Sequence, residues 1–304
     1  MSAYYYHIYQ RLQDKGVIFY DYADYLLYLT VLSVKAKQYK IKIIALCQMV
    51  NHIHILLVAQ DQNDIILFMN DYTTTFSKEY NSGHGIKGSI FQSPYGRAPK
   101  RNGKAIRTCI AYVFNNPVEK HLCKEALEYR WDYLAYAFSK RPFSEKLALN
   151  RARKPMRRAI KEVHTAHDLN NYLTYRQIRR LFDNLNYKEK EQLCDRIISL
   201  YCPIDFEQMS LFYHSLKDAV IAINSNTGTE YDIDEEYDRL DYRNYSRFTQ
   251  LLISKGKISS PEDILSKDIA TKQNLAKWLK WNTNAPSTQI DLYLHRGGET
   301  LKQQ

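Results

Sequence analysis

The stretch MVNHIHILLV, Met49–Val58, sets two histidines one residue apart inside an otherwise apolar run. The run is short and rich in Ile, Leu and Val, and a polar loop follows it, so it reads as a buried strand. Side chains alternate along a strand, so His52 and His54 share one face while Ile53, Ile55 and Leu57 take the other. Two imidazoles therefore converge on one spot. Such a pair is either half of a metal site or two hydrogen-bonded core histidines, and a third ligand has to decide.

Working outward, KIKIIALCQMV just before the pair reads as a second strand, adjacent and antiparallel. At the start of the chain, YYYHIYQRL alternates and is aromatic, a further strand that passes through a Lys15-Gly16 turn into the shorter run VIFY. Between them, YADYLLYLTVLSVKAKQY has Leu26, Leu27, Leu29, Val31 and Leu32 at helical spacing. DIILFMNDYTTTFSKEYN reads as a second helix despite its Thr run. After the Gly-rich loop SGHGIKGSIFQSPYG comes a third helix, KAIRTCIAYVFNNP, which Pro117 is expected to end. Strands with helices packed over them make an α+β domain. Beyond about Arg141 the pattern turns to helix after helix: LTYRQIRRLFDNL, YKEKEQLCDRIISLY, a start at SSPEDILSKD with Ser260 as cap, and TKQNLAKWLKW. The last two are read as packing helices rather than a DNA-reading pair. NSNTGTEYDIDEEYD is an acidic, solvated loop without the ligand spacing of a calcium loop. The expected division is a domain over 1–140, a basic linker or arm over 141–165, and an α-helical accessory domain over 166–304.

Charge is uneven. The chain carries +10 overall, yet residues 1–165 hold 25 Lys and Arg against 13 Asp and Glu, and residues 166–304 hold 18 against 20. The basic half is where a polyanion would sit. Arg151, Arg153, Lys154, Arg157 and Arg158 are nearly contiguous, a solvated face or a phosphate-contacting arm. Five cysteines without a Cys-x-x-Cys pair signal neither a disulfide framework nor a cysteine zinc site. No window has the apolar length of a membrane helix, and the first residues carry charges where a signal peptide has its apolar core, so a cytoplasmic location is expected.

The third helix supplies a candidate for the missing ligand. Tyr112 and Asn116 are four apart and project from one helix face. An amide oxygen suits Mg²⁺ or Mn²⁺, with positions left for phosphate and water. His84 and His121 fall in a loop and beyond Pro117, where nothing fixes their direction. Most of the 26 tyrosines are core or surface aromatics; Tyr112 stands out through its neighbour.

LCQMVNHIHILL, MNDYTTTFSKEYNSGHGIKGSIFQSPY, and YVFNNPVEKHL followed by YRWDYLAY occur in that order. Together they resemble the REP-associated tyrosine transposases and their insertion-sequence relatives, the single-tyrosine HUH endonucleases. The resemblance covers roughly Tyr4 to Phe138. It implies a ferredoxin-like α+β fold with a central antiparallel sheet, His52 and His54 as the HUH pair, Tyr112 as nucleophile, and Asn116 at the position that supplies the third ligand. In such enzymes a divalent metal polarises the scissile phosphate of single-stranded DNA and the tyrosine attacks, leaving a 5′-phosphotyrosine and a free 3′-hydroxyl. Three positions depart from the family pattern: Val50 where Pro is common, His121 where Gly is common, and Pro94 where a basic residue is common.

The implied substrate is single-stranded or hairpin DNA. Single-strand binding combines basic grooves with stacking aromatics, and Lys87, Arg97, Lys100, Arg101, Lys104 and Arg107 surround the loop before the nucleophile helix. With the family in view, the stretch from Lys140 to Lys161 also becomes an expected DNA contact. Other readings are a catalytically silent DNA-binding regulator of the same fold and a related HUH nicking enzyme. A plain metal-dependent hydrolase is the weakest, because no Asp or Glu is placed to activate water. No membrane partner is expected, and both a homodimer and a monomer fit.

Overall fold

Four strands form one antiparallel sheet in the computed structural model, which describes residues 3–225 and 240–296. They are β1 (Tyr4–Arg11), β2 (Lys42–Gln48), β3 (His52–Ala59) and β4 (Gly96–Pro99), in the spatial order β2-β3-β1-β4. Helix α1 (Tyr22–Gln38) connects β1 to β2, and α2 (Gln62–His84) connects β3 to β4. That is the β-α-β-β-α-β ferredoxin-like order, to which α3 (Gly103–Glu119) is added.

Local signals explain the helix ends. Asp21 accepts from the Ala23 N–H and Asp24 answers it in a capping box at the start of α1. Asp61 caps α2, and Gly85, with φ of 66°, ends it in the left-handed region. Asn102 accepts from the Ala105 N–H at the start of α3.

The two faces of the sheet carry different helices. On one, the Tyr72 hydroxyl of α2 donates to the β1 side chain Gln10, and Tyr28 of α1 meets Tyr72. On the other, α3 packs on β2 and β3 and brings Asn116 against His52 and His54. β3 is buried along its whole length, on both faces.

The remaining helices are α4 (Lys154–Asp168), α5 (Tyr175–Phe182), α6 (Tyr187–Tyr201), α7 (Phe206–Ser210), α8 (Leu216–Asn224), α9 (Arg243–Ser254), α10 (Asp263–Ser266), α11 (Ile269–Asn282) and α12 (Ser287–Tyr293). They dock directly on the sheet domain: α5 and α6 on α1, α5 and α10 on α2, α8 on α3. Ile204 bridges Ile43 in parallel and the Asp205 N–H donates to Ile43 O, which covers part of the β2 edge. Arg179 of α5 ties the two parts electrostatically, reaching Asp21 at 2.7 Å and Glu262 at 2.8 Å. Burial and the neighbouring Asp24 push the Asp21 carboxyl up to about 6, against the pull of Arg179. Beside it, the fully buried Asp24 accepts from His84 Nε2 at 2.8 Å.

The structure differs from the sequence expectations at several points. α3 runs past Pro117 to Glu119, because a proline in the last turn forfeits only one of the final backbone bonds. The turn closes at His121, whose φ of 58° is the left-handed value that favours glycine and so accounts for a Gly being common there. The Gly-rich loop gives its first residues to α2 and its last, Gly96, to β4, a four-residue strand that begins with Gly and ends with Pro and is too short to show periodicity. Residues 141–165, expected as a basic linker or arm, contribute α4, which buries Met156, Ala159, Ile160 and Val163. The helix expected to start at Ser260 starts two residues later, as α10; the Ser260 N–H and hydroxyl both donate to Asp263. Most of the acidic stretch NSNTGTEYDIDEEYD lies outside the described residues. Among the described residues no helix is long and apolar enough to cross a membrane, and the five cysteines are free.

Replacing Arg179 with Met leaves the Asp21 and Glu262 carboxylates facing each other with no cation between them. This is expected to cost about 1–3 kcal/mol, discounted for partial exposure, and to lower the urea midpoint. An unchanged midpoint would show that Arg179 does not hold the helical region to the domain.

Candidate active site

Register brings the site together. β1 and β3 pair so that Tyr9 stands opposite His54 and Arg11 opposite His52. His7, two residues before Tyr9, shares their face. α3 crosses this face and lowers Asn116 between the two imidazoles. The Asn116 Nδ2 lies 3.3 Å from His54 Nε2, and Asn116 Oδ1 lies 3.4 Å from His52 Nε2. Tyr112, one turn earlier on α3, sets its ring edge-on to His54 with centroids 5.2 Å apart and to His7 at 5.8 Å. The four side chains are enclosed: Tyr112 is 5% exposed, His52 3%, Asn116 2% and His54 0%.

The hydrogen bonds fix which nitrogens carry lone pairs. Asn116 donates to His54 Nε2, so the His54 proton is on Nδ1 and points to His7 Nε2 at 3.0 Å. His52 Nδ1 is 2.8 Å from Asn51 Oδ1, and its Nε2 is 3.4 Å from Asn116 Oδ1. Each imidazole is oriented by a neighbour on its far nitrogen, as metal-bound histidines are. Among the described residues no three His, Cys, Asp or Glu gather into a metal cluster; the donor set here is two imidazoles and an amide.

Electrostatics keep His54 and His7 neutral. Burial first, then the charge of Lys120, hold His54 down to about 3. Burial, His54 and Lys100 likewise hold His7 well below the usual imidazole value. A metal ligand must be unprotonated, so this state suits coordination.

The expected DNA contacts separate into groups. Lys87, Arg97, Arg101, Lys104 and Arg107 are exposed, the last three at or near the N-terminal end of α3. Lys100 is only 3% exposed and turns inward, beside His7. Arg153 donates twice to the Glu189 carboxylate and once to Asn184 O, a structural pairing. Arg151, Lys154, Arg157 and Arg158 are exposed, but α4 packs on α5 and α6, which lie on α1 at the far face of the sheet from Tyr112. His84 is part of the Asp24 pair, and His121 is exposed at the turn.

Sequence reasoning missed His7, Asn51, Lys100's inward position, Lys120 and Tyr242. His7 was accessible from period two in β1, and Lys120 from its four-residue step beyond Asn116. Tyr242, whose ring lies 6.1 Å from that of His52, comes from the helical region and carried no signal.

A ferredoxin-like sheet thus presents two histidines of one strand to a tyrosine and an amide of one helix. Residues 1–116 match the family model described as "Transposase IS200 like". Among solved structures, one titled as a REP-associated tyrosine transposase bound to a REP hairpin is similar at 16% identity and a TM-score of 0.34, over 42% of this chain and 74% of that one. No curated protein matches the chain significantly.

If burial holds His54 neutral, its ring signals in an NMR titration of the metal-free protein will not move between pH 8 and pH 5. A midpoint near the ordinary imidazole value of about 6.5 would contradict the enclosed geometry.

Proposed function

We propose that the N-terminal domain is a tyrosine transesterase that cuts and rejoins single-stranded or hairpin DNA, with Tyr112 as nucleophile. The observation that carries this reading is the convergence of His52 Nε2 and His54 Nε2 on Asn116, with Tyr112 one turn away on the same helix. The match of residues 1–116 to a transposase family model and the basic charge of residues 1–165 support DNA as the substrate.

His52, His54 and Asn116 are the residues that would hold a divalent ion. The two Nε2 atoms, 3.4 Å and 3.3 Å from the Asn116 amide, are the donors that would face such an ion. Two imidazoles and one amide oxygen favour Mn²⁺ over Mg²⁺, which prefers oxygen ligands throughout. When bound, the ion acts as a Lewis acid that offsets charge on the phosphate.

The chain's own residues do the rest. Asn51 and His7 orient the two imidazoles through their Nδ1 atoms. Helix α3 fixes Tyr112 beside them. An ordinary phenol, with a pKa of about 10, is a weak nucleophile, so holding it at a charge-neutralised phosphate matters. Attack forms the Tyr112 oxygen–phosphorus bond and breaks the bond from phosphorus to the 3′-oxygen. The phenol loses its proton, the 3′-oxygen gains one, and the number of phosphodiester linkages is unchanged. Rejoining therefore needs no nucleotide cofactor.

The test is to incubate the protein with end-labelled single-stranded DNA carrying randomised hairpins and Mg²⁺ or Mn²⁺, then look for label that runs with the protein on a denaturing gel. A metal-dependent adduct is expected from the wild type and from neither Tyr112→Phe nor His52→Ala. Binding without an adduct under any metal favours a silent DNA-binding regulator. A nicked product without an adduct would restore the hydrolase reading.

Exposed cations around the start of α3 are expected to track the DNA backbone. Neutralising Arg101, Lys104 and Arg107 together to Gln should flatten the dependence of log affinity on log salt by about 2, at roughly 0.7 per single-strand phosphate. A slope equal to wild type would remove this surface from the DNA path.

A further inference from the structure

Helix α3 carries more than the tyrosine and the amide. Lys120 follows Asn116 by four residues and Tyr112 by eight, so the three form one stripe with about 6 Å of rise between successive members. Lys120 is the C-cap of α3, half-buried, and its backbone N–H donates to Asn116 O and Val118 O. Its ammonium nitrogen lies 5.4 Å from the centre of the Tyr242 ring, within cation–π range. Tyr242 belongs to the helical region, immediately before α9, and is 1% exposed. The same ring meets His52 edge-on with centroids 6.1 Å apart. One aromatic ring from outside the ferredoxin-like domain thus touches both a lysine and an imidazole of the site.

The order along α3 gives Lys120 a side. Displacement at phosphorus proceeds with attacking and leaving oxygens roughly in line. With a phosphate seated at the imidazole and amide groups, Tyr112 lies one turn to one side and Lys120 one turn to the other. Attack from Tyr112 then directs the departing 3′-oxygen toward Lys120. We propose that Lys120 is a further DNA-binding residue of the site, contacting the scissile phosphodiester at its leaving 3′-oxygen, and that Tyr242 is the positioning residue that holds it there. This rests on the transesterase reading above. As the Tyr112 oxygen–phosphorus bond forms and the bond to the 3′-oxygen breaks, the phenolic proton passes to solvent and the 3′-oxygen takes one from solvent. The Lys120 ammonium offsets the charge that develops on the departing oxygen. The site is therefore completed by the helical region, not contained within residues 1–116.

The test uses the full chain and the same hairpin pool in two assays: fluorescence anisotropy across NaCl without metal, and the rate of adduct formation at saturating DNA with Mn²⁺. Lys120→Gln is expected to reduce the salt slope by about 0.7 and to slow the adduct step about tenfold or more, with Lys120→Arg restoring the slope. Tyr242→Phe, which keeps the ring face, should behave as wild type. Tyr242→Leu should reproduce Lys120→Gln, and combining the two should add nothing further. If the buried Leu variant does not fold, the Phe, Arg and Gln variants still decide. Wild-type adduct formation with Lys120→Gln unchanged in both assays overturns this inference alone. No adduct from wild type under any metal overturns the transesterase reading, and this inference with it.

Discussion

The register of β1 against β3 is the constraint on which the site depends. With Tyr9 opposite His54 and Arg11 opposite His52, the imidazoles and His7 face α3, and Ile8, Ile53 and Ile55 face α1 and α2. A slip of one residue would exchange these faces and place two histidines in the aliphatic layer. β3 is covered on both sides, so either set of side chains would be penalised in the wrong layer, and the register is strongly specified. The same burial is what deprives His54 and His7 of their protons. Fold specification and ligand chemistry come from one source.

The helical region is not an appendage hung on a finished domain. α5 and α6 cover α1, the Ile204 segment pairs with the β2 edge, and α8 backs α3, the helix that carries Tyr112. Arg179 joins the carboxylates of Asp21 and Glu262 where the two parts meet. Its neighbour Tyr175 packs on His84, which bonds to Asp24 at the start of α1. A chain cut after α3 would therefore expose much of the surface that now fixes the helix's angle over the sheet.

What could be read from the sequence follows from which features are local. The His52/His54 pair is legible because strand period alone sets its direction, and Tyr112/Asn116 because helix period does the same. The family resemblance added the sheet topology that the ferredoxin-like order confirms. β4 was illegible because four residues between glycine and proline show no periodicity. The basic run around Arg153 and Lys154 looked like a solvated arm because charge density conceals an apolar stripe at Met156, Ile160 and Val163. Lys100 could not be told from its exposed neighbours, since only the pairing of its N–H with Tyr5 O turns it inward beside β1. Tyr242 is separated from His52 by nearly two hundred positions, and no local pattern encodes such a contact.

The arrangement of charge resolves an apparent conflict at the centre of the fold. Two lysines flank the histidines, Lys100 beside His7 and Lys120 beside His54, and both oppose protonation there. In a protein interior such cations would ordinarily be a liability. Here the repulsion acts on the protonated imidazoles and would act equally on a cation held between them. On the proposed DNA-processing reading, a phosphodiester seated at the imidazoles would be drawn by both charges, so the cations that oppose protonation of His7 and His54 would favour the substrate. On the proposed reading, a site without those lysines would hold a cation more firmly and the backbone of DNA less firmly.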